Sequence, residues 1–132
     1  QPTPMIIQEE FGDDAWKLLV GCILLNQTSN VQVRRVIYTL FERWPSPEAM
    51  ANADVDELSE HIKSLGFRNK RARTLIRFSA EYIAKDFQTA SELHGIGKYG
   101  DDSFQMFIKG NLDVQPTDRI LLAWLRGEPI PQ

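Results

Sequence analysis

Apolar residues spaced three and four apart, in one segment after another, constrain this chain most: the pattern builds helices and supplies no strand. Ala15, Leu18, Leu19, Cys22 and Leu25 fall on one face of a helix. Val33, Val36, Ile37, Leu40, Phe41 and Trp44 repeat the spacing until Pro45 stops it. Asp54 is placed to cap a third helix whose Val55, Leu58 and Ile62 face inward and which ends near Gly66. A fourth is predicted from Asn69 or Lys70 to Lys85, burying Ala72, Leu75, Ile76, Ser79, Tyr82 and Ile83. No convincing alternation of period two interrupts them. The expectation is an all-α fold of short connected helices, with only the tail from Gly127 to Gln132 reading as a frayed end.

A length of 132 residues fits one domain, expected to span 1–132. The chain opens on Gln1 rather than Met, as expected of a trimmed chain. Its single cysteine, Cys22, can form no internal disulfide and cannot by itself supply a four-cysteine zinc or iron–sulfur site. No metal is therefore expected. No run of about 18 apolar residues is present, so no membrane span is predicted and the chain reads as soluble. The net charge of −3 is adverse for a polyanion partner, but the charge is segregated. Lys63, Arg68, Lys70, Arg71, Arg73 and Arg77 follow one another with no acidic residue among them, directly after Asp54, Asp56, Glu57 and Glu60. Such a run is commonly a solvated helix face; beside a loop that meets nucleic acid it becomes a phosphate track.

Leu93-His94-Gly95-Ile96-Gly97-Lys98-Tyr99-Gly100 stands between two short helices, expected over 89–93 and from Tyr99 or Gly100 to Ile108. Glycines there permit positive φ and let another backbone approach, while Ile96 plugs inward. The second helix presents unpaired N–H groups and the positive end of its dipole, where a phosphate fits, with Lys98 beside it. Two glycines alone favour an ordinary capped turn with no ligand. The full string is more specific.

That string resembles the helix–hairpin–helix of the HhH-GPD DNA glycosylase superfamily, which includes endonuclease III and MutY. The likeness extends over Gln8-Glu9, Trp16 to Leu19, Leu25-Asn26-Gln27-Thr28-Ser29, Leu65-Gly66 and Pro116-Thr117-Asp118. It is closest to the thymine glycosylase domains of methyl-CpG-binding repair enzymes. The resemblance implies a compact helical glycosylase fold, duplex DNA as partner, a monomer, no cofactor, and an intracellular location with DNA. The cysteine cluster of endonuclease III and MutY is absent, so no iron–sulfur centre is expected.

Excising a base breaks an N-glycosidic bond and leaves positive charge on the sugar, which a carboxylate can stabilise while orienting water. The resemblance implies that role for Asp118, twenty residues after Lys98. Local sequence alone favours Asp118 as a cap for the helix that begins at Ile120-Leu121-Leu122, and both roles are compatible. Strand-cutting members of the family carry a lysine where this chain has Tyr99, which cannot form a Schiff base; the resemblance thus implies a catalytic site that leaves an abasic site intact. It also implies that Gln8 and Tyr99 line the base pocket. Gln27 occupies the gap-filling position, with Asn26 and Thr28 beside it, and Phe67 or Arg68 supplies a second wedge next to Lys70. Gly95, Gly97, Lys98 and Gly100 complete the implied DNA contacts. Ile120 stands where the thymine-specific relatives have a basic residue, which weakens the case for thymine.

The leading expectation is a monofunctional glycosylase for uracil or thymine. The same scaffold also suits a transferase that modifies a flipped pyrimidine, or a module that only holds DNA. Alkali-labile sites appear only in the first case.

Overall fold

The computed structural model describes residues 5–131, and every regular element among them is helical. The helices are α1 (Ile7–Glu10), α2 (Ala15–Leu24), α3 (Asn30–Arg43), α4 (Pro47–Ala51), α5 (Val55–His61), α6 (Arg68–Ala84), α7 (Lys98–Phe107) and α8 (Arg119–Arg126). Single 3-10 turns lie at Lys63–Leu65 and Ala90–Glu92.

α2 is the hub. Its periodicity predicts one buried face, yet Trp16 and every residue from Leu18 to Leu24 are buried. The segment from Leu18 to Leu25 has no charged or amide side chain, and a helix apolar all round belongs inside. α1, α3, α6 and α7 surround it. The Asp14 carboxylate starts it by accepting from the Lys17 N–H at 3.0 Å, and Trp16 Nε1 donates to Ser79 Oγ on α6, also at 3.0 Å. Gly21 matters because a Cβ there would sit 2.6 Å from Ile7 Cγ2. Its absence lets α1 lie directly on α2.

α1 is too short to hold itself together and too short to show periodicity. Side chains of α3 fix it instead. Asn30 Oδ1 accepts from the Ile7 N–H at 2.8 Å, Arg34 donates to the Met5 carbonyl and to Glu10, and the Tyr38 hydroxyl donates to Glu10. α3 starts in a reciprocal cap between Ser29 and Gln32 and buries Val33, Val36, Ile37, Leu40 and Phe41, as its spacing predicts. Ser46 with Pro47 begins α4, a start signal overlooked in the sequence. Asp54 caps α5 as expected.

α6 begins slightly earlier than predicted, and its inner face differs from the expected one. Phe78 is fully buried, Ile76 and Tyr82 are half-buried, and Ile83 is 48% exposed. Ile83, Ala84 and Lys85 are all exposed, so the helix leaves the core over its last residues. The expected frayed tail is also corrected. Gly127 ends α8 at φ 65°, and Ile130 and Pro131 line a hollow with Met5, Ile6, Val31 and Ile120. Gln1 and Gln132 lie outside the described residues.

Candidate functional site

Between α6 and α7 the chain makes the glycine hairpin. Its first arm is a 3-10 turn rather than a helix, held by reciprocal capping between Thr89 and Glu92. Asp101 Oδ1 on the second arm accepts from the Ala90 N–H at 2.9 Å. Only one of the two central glycines needs its special conformation: Gly95 has φ 84°, while Gly97 is extended at φ −110° with open space above its α carbon. Ile96 is buried as expected. α7 starts at Lys98 with no side-chain cap, so the N–H groups of Lys98, Tyr99 and Gly100 have no intrahelical partner. Gly100 itself is buried, its α carbon facing Ile96 and Cys22.

Glu81 docks the hairpin on α6. Its Oε1 accepts from the His94 N–H at 3.0 Å while Lys85 and Arg77 pair with the same carboxylate. The Lys85 hydrogen bond, with help from His94 and Arg77, lowers the carboxyl from 4.5 to about 2. A depressed pKa stabilises the folded state above the ordinary value, and the contribution fades as pH falls from 4.5 toward 2. Glu81→Gln is accordingly expected to melt a few degrees below the wild type at neutral pH. In a pH series the two melting curves should converge near the acid end; a constant gap would exclude this linkage.

A cleft opens between the end of α2, the start of α6 and the hairpin, lined among others by Cys22, Asn26, Gln27, Phe67, Lys70, Lys98 and Tyr99. Gln27 and Phe67 are the two non-glycine residues with positive φ among those described, at 62° and 47°, and both are exposed. Such conformations are disfavoured for residues with side chains and gather at functional sites. Arg68 turns instead toward Glu60, 3.5 Å away, which leaves Phe67 as the prominent side chain of that loop. Thr28 does not face this cleft: its hydroxyl donates to the Leu24 carbonyl at 2.6 Å and closes α2.

Of the two residues expected to line a base pocket, Tyr99 lines the cleft and Gln8 lies outside its lining. Gln8 is 0% exposed, not the solvated glutamine common near a chain start. Its Nε2 donates to Tyr99 Oη at 2.6 Å and to Ser103 Oγ at 3.3 Å, across 91 and 95 residues of sequence. Gln8 Oε1 is the one buried side-chain N or O atom among the described residues without a partner. Burial pushes the Tyr99 phenol well above its usual pKa, and the Asp118 charge adds to the shift. Tyr99 is therefore a neutral hydroxyl at physiological pH. Burial likewise pushes the Cys22 thiol up to about 12, with Ser103 opposing and Asp118 adding to the shift, so no thiolate is present. The Asp118 charge is felt at both groups, although Asp118 does not itself line the cleft.

Asp118 caps α8: Oδ2 accepts from the Ile120 and Leu121 N–H groups, each at 3.0 Å. Oδ1 accepts from no protein group among the described residues. Ser103, which the sequence reading missed, is one helical turn from Tyr99 and shares its face.

The basic run is not a uniform phosphate track. Lys63 and Arg68 pair with Glu60, Arg77 pairs with Glu81, and Arg71 is buried. Lys70 and Arg73 make no ion pair among the described residues, and Lys70 lines the cleft. Lys98 is also occupied, donating to Asp102 Oδ2 at 2.8 Å and to the Gln115 carbonyl at 3.0 Å. It therefore ties α7 to the segment leading to Asp118. No cluster of three His, Cys, Asp or Glu residues suited to a metal exists among the described residues, and no described helix is long and apolar enough to cross a membrane.

A helical core carrying an uncapped glycine hairpin beside a carboxylate defines a class: residues 20–127 match the HhH-GPD superfamily of base excision DNA repair proteins, and the chain belongs to it. It is 38% identical over 117 residues to a methyl-CpG-binding domain protein 4-like protein of Arabidopsis thaliana, covering 88% of this chain and 26% of that protein. It is 36% identical over 93 residues to a thymine-DNA glycosylase of Aeropyrum pernix, covering 65% and 42% respectively. The structure of a thermostable thymine-DNA glycosylase shares the fold with a TM-score of 0.73 at 22% identity, over 82% of this chain and 52% of that one. The chain thus spans between a quarter and about half of these proteins.

Proposed function

We propose that this chain, acting as a monomer and as one unit over 1–132, excises uracil or thymine from duplex DNA and leaves the sugar–phosphate strand uncut. The observation that carries the proposal is the unpaired Gln8 Oε1, fully buried beside Tyr99. A buried acceptor without a donor costs about 1–3 kcal/mol, a cost that a ligand donor reaching it would relieve. The imide N–H of uracil or thymine is such a donor. A base inside a duplex cannot reach it unless it is rotated out of the stack.

In this mechanism the N–H groups at the start of α7, the open face of Gly97, and Lys70 hold phosphates. Gln27 and Phe67 fill the space the base vacates, with Asn26 at the edge. Gln8 takes the base edge, and the neutral Tyr99 hydroxyl orients Gln8. As the glycosidic bond stretches, Asp118 Oδ1 faces the developing positive charge and positions the attacking water. Strand cutting would need a free amine attacking the sugar. Tyr99 has none, and the neighbouring Lys98 Nζ is engaged by Asp102 and Gln115. The product is therefore an abasic site.

The test uses duplexes carrying uracil or thymine opposite guanine. Breaks should appear only after hot alkali. No break with any pyrimidine lesion would reject excision, whereas breaks before alkali would reject the monofunctional assignment.

A further inference from the structure

Arg71 sits within the basic run, yet it is 5% exposed and makes no ion pair with a carboxylate among the described residues. Its Nε donates to the Gly66 carbonyl at 2.9 Å, Nη1 to the Ile23 carbonyl at 3.3 Å and Nη2 to the Asn26 carbonyl at 2.8 Å. Gly66 immediately precedes Phe67, and Asn26 immediately precedes Gln27. One rigid planar group thus grips the two loops that carry the two positive-φ side chains. The guanidinium carbon also lies 5.7 Å from the centre of the Phe67 ring. Burial lowers the guanidinium pKa, the cost of keeping it away from water. Nothing about folding α6 alone calls for an arginine here: the neighbouring stripe positions hold Ala72 and Leu75, both fully buried.

Arg71 does not face outward toward a phosphate. Its N–H fork fixes the spacing between the loop that follows α2 and the α5–α6 connection, with Arg71 and Asn26 45 residues apart in the sequence. Strained backbone persists only where its surroundings hold it, and Arg71 binds the carbonyl next to each strained residue.

We infer that Arg71 is a positioning residue that joins the Gln27 and Phe67 loops into a single two-pronged wedge, so that both side chains enter the duplex as one unit. The inference rests on the proposal that this face opens duplex DNA. It separates Arg71 from Lys70 and Arg73, whose loss would weaken all DNA binding alike.

A double-mutant cycle tests it. The measured quantity is the preference for a duplex containing a tetrahydrofuran abasic analogue opposite guanine over the same duplex intact. In the wild type, Gln27→Ala and Phe67→Ala should each lower that preference by about tenfold, and the double variant should be little worse than either single one. In the Arg71→Lys background, which keeps the charge but not the fork, the preference should already be reduced and the two effects should multiply. Arg71→Gln serves as a second background, with thermal melting of each variant as control. Multiplicative effects in the wild type, or coupling that survives in either background, would overturn the inference. A wild type with no preference for the abasic analogue would instead reject base rotation, and this inference with it, before any Arg71 variant is needed.

Discussion

Asp118→Asn is expected to lower single-turnover excision by about 10²–10³-fold while leaving DNA affinity and melting temperature close to those of the wild type. The substitution isolates charge from shape. Asparagine caps helices as well as aspartate does, and its side-chain oxygen can accept from the same Ile120 and Leu121 N–H groups. The start of α8, and with it the position of the side chain, is preserved. What disappears is the negative charge that reaches Tyr99 and Cys22, and that the developing sugar cation would meet. Binding should hold or tighten slightly, since one negative charge fewer faces a polyanion. Asp118→Ala makes the contrast: it removes the cap as well, at about 1 kcal/mol, and should lower both activity and melting temperature. If Asp118→Asn excises within about threefold of the wild type, the carboxylate is a cap and nothing more.

The helical architecture was legible because most of its signals are local. Caps at Asp54 and Asp118 and the period of α3 act within a few residues. The periodicity of α2 found the helix but understated its burial, because one face is all that a spacing rule can see. α1 left no periodic trace at all; it exists because Asn30, Arg34 and Tyr38 hold it. The resemblance named Gln8 and Tyr99 together, and the structure joins them by a hydrogen bond; it also named Asp118, which the structure shows as the cap of α8. Local chemistry alone assigns Gln8 to solvent. The charges were the least legible part. A run of six basic residues reads as one patch, but whether each meets a phosphate depends on partners brought in by the fold. Glu60 takes Lys63 and Arg68, and three backbone carbonyls take Arg71. One clue to Arg71 was available: it lies one helical turn before the buried Leu75, where a solvated arginine would be out of place.

Gln8→Leu is expected to separate stability from activity in opposite directions. Leucine is close in volume to glutamine and removes the buried acceptor that has no partner. Relief of that unsatisfied group should offset the loss of the Nε2 donations to Tyr99 and Ser103, since an orphaned polar atom costs about 1–3 kcal/mol and a typical hydrogen bond contributes about 1 kcal/mol net. The melting temperature should therefore equal or exceed that of the wild type. Excision should nevertheless fall by about 10²-fold or more, because the base edge then meets a methyl group and its own N–H is left unpaired in a dry pocket. The loss should appear with uracil and thymine alike, as both present the same imide. Affinity for undamaged duplex should not change, since Gln8 is fully buried and away from the backbone-facing surface. Tyr99→Phe completes the comparison. It removes the oxygen that accepts from Gln8 Nε2 at 2.6 Å but keeps the Gln8 acceptor, and should lose less activity than Gln8→Leu. A Gln8→Leu protein that is as active as the wild type would assign Gln8 to packing. One that is inactive and also markedly less stable would mean that the amide serves the fold, with no need of a base to explain it.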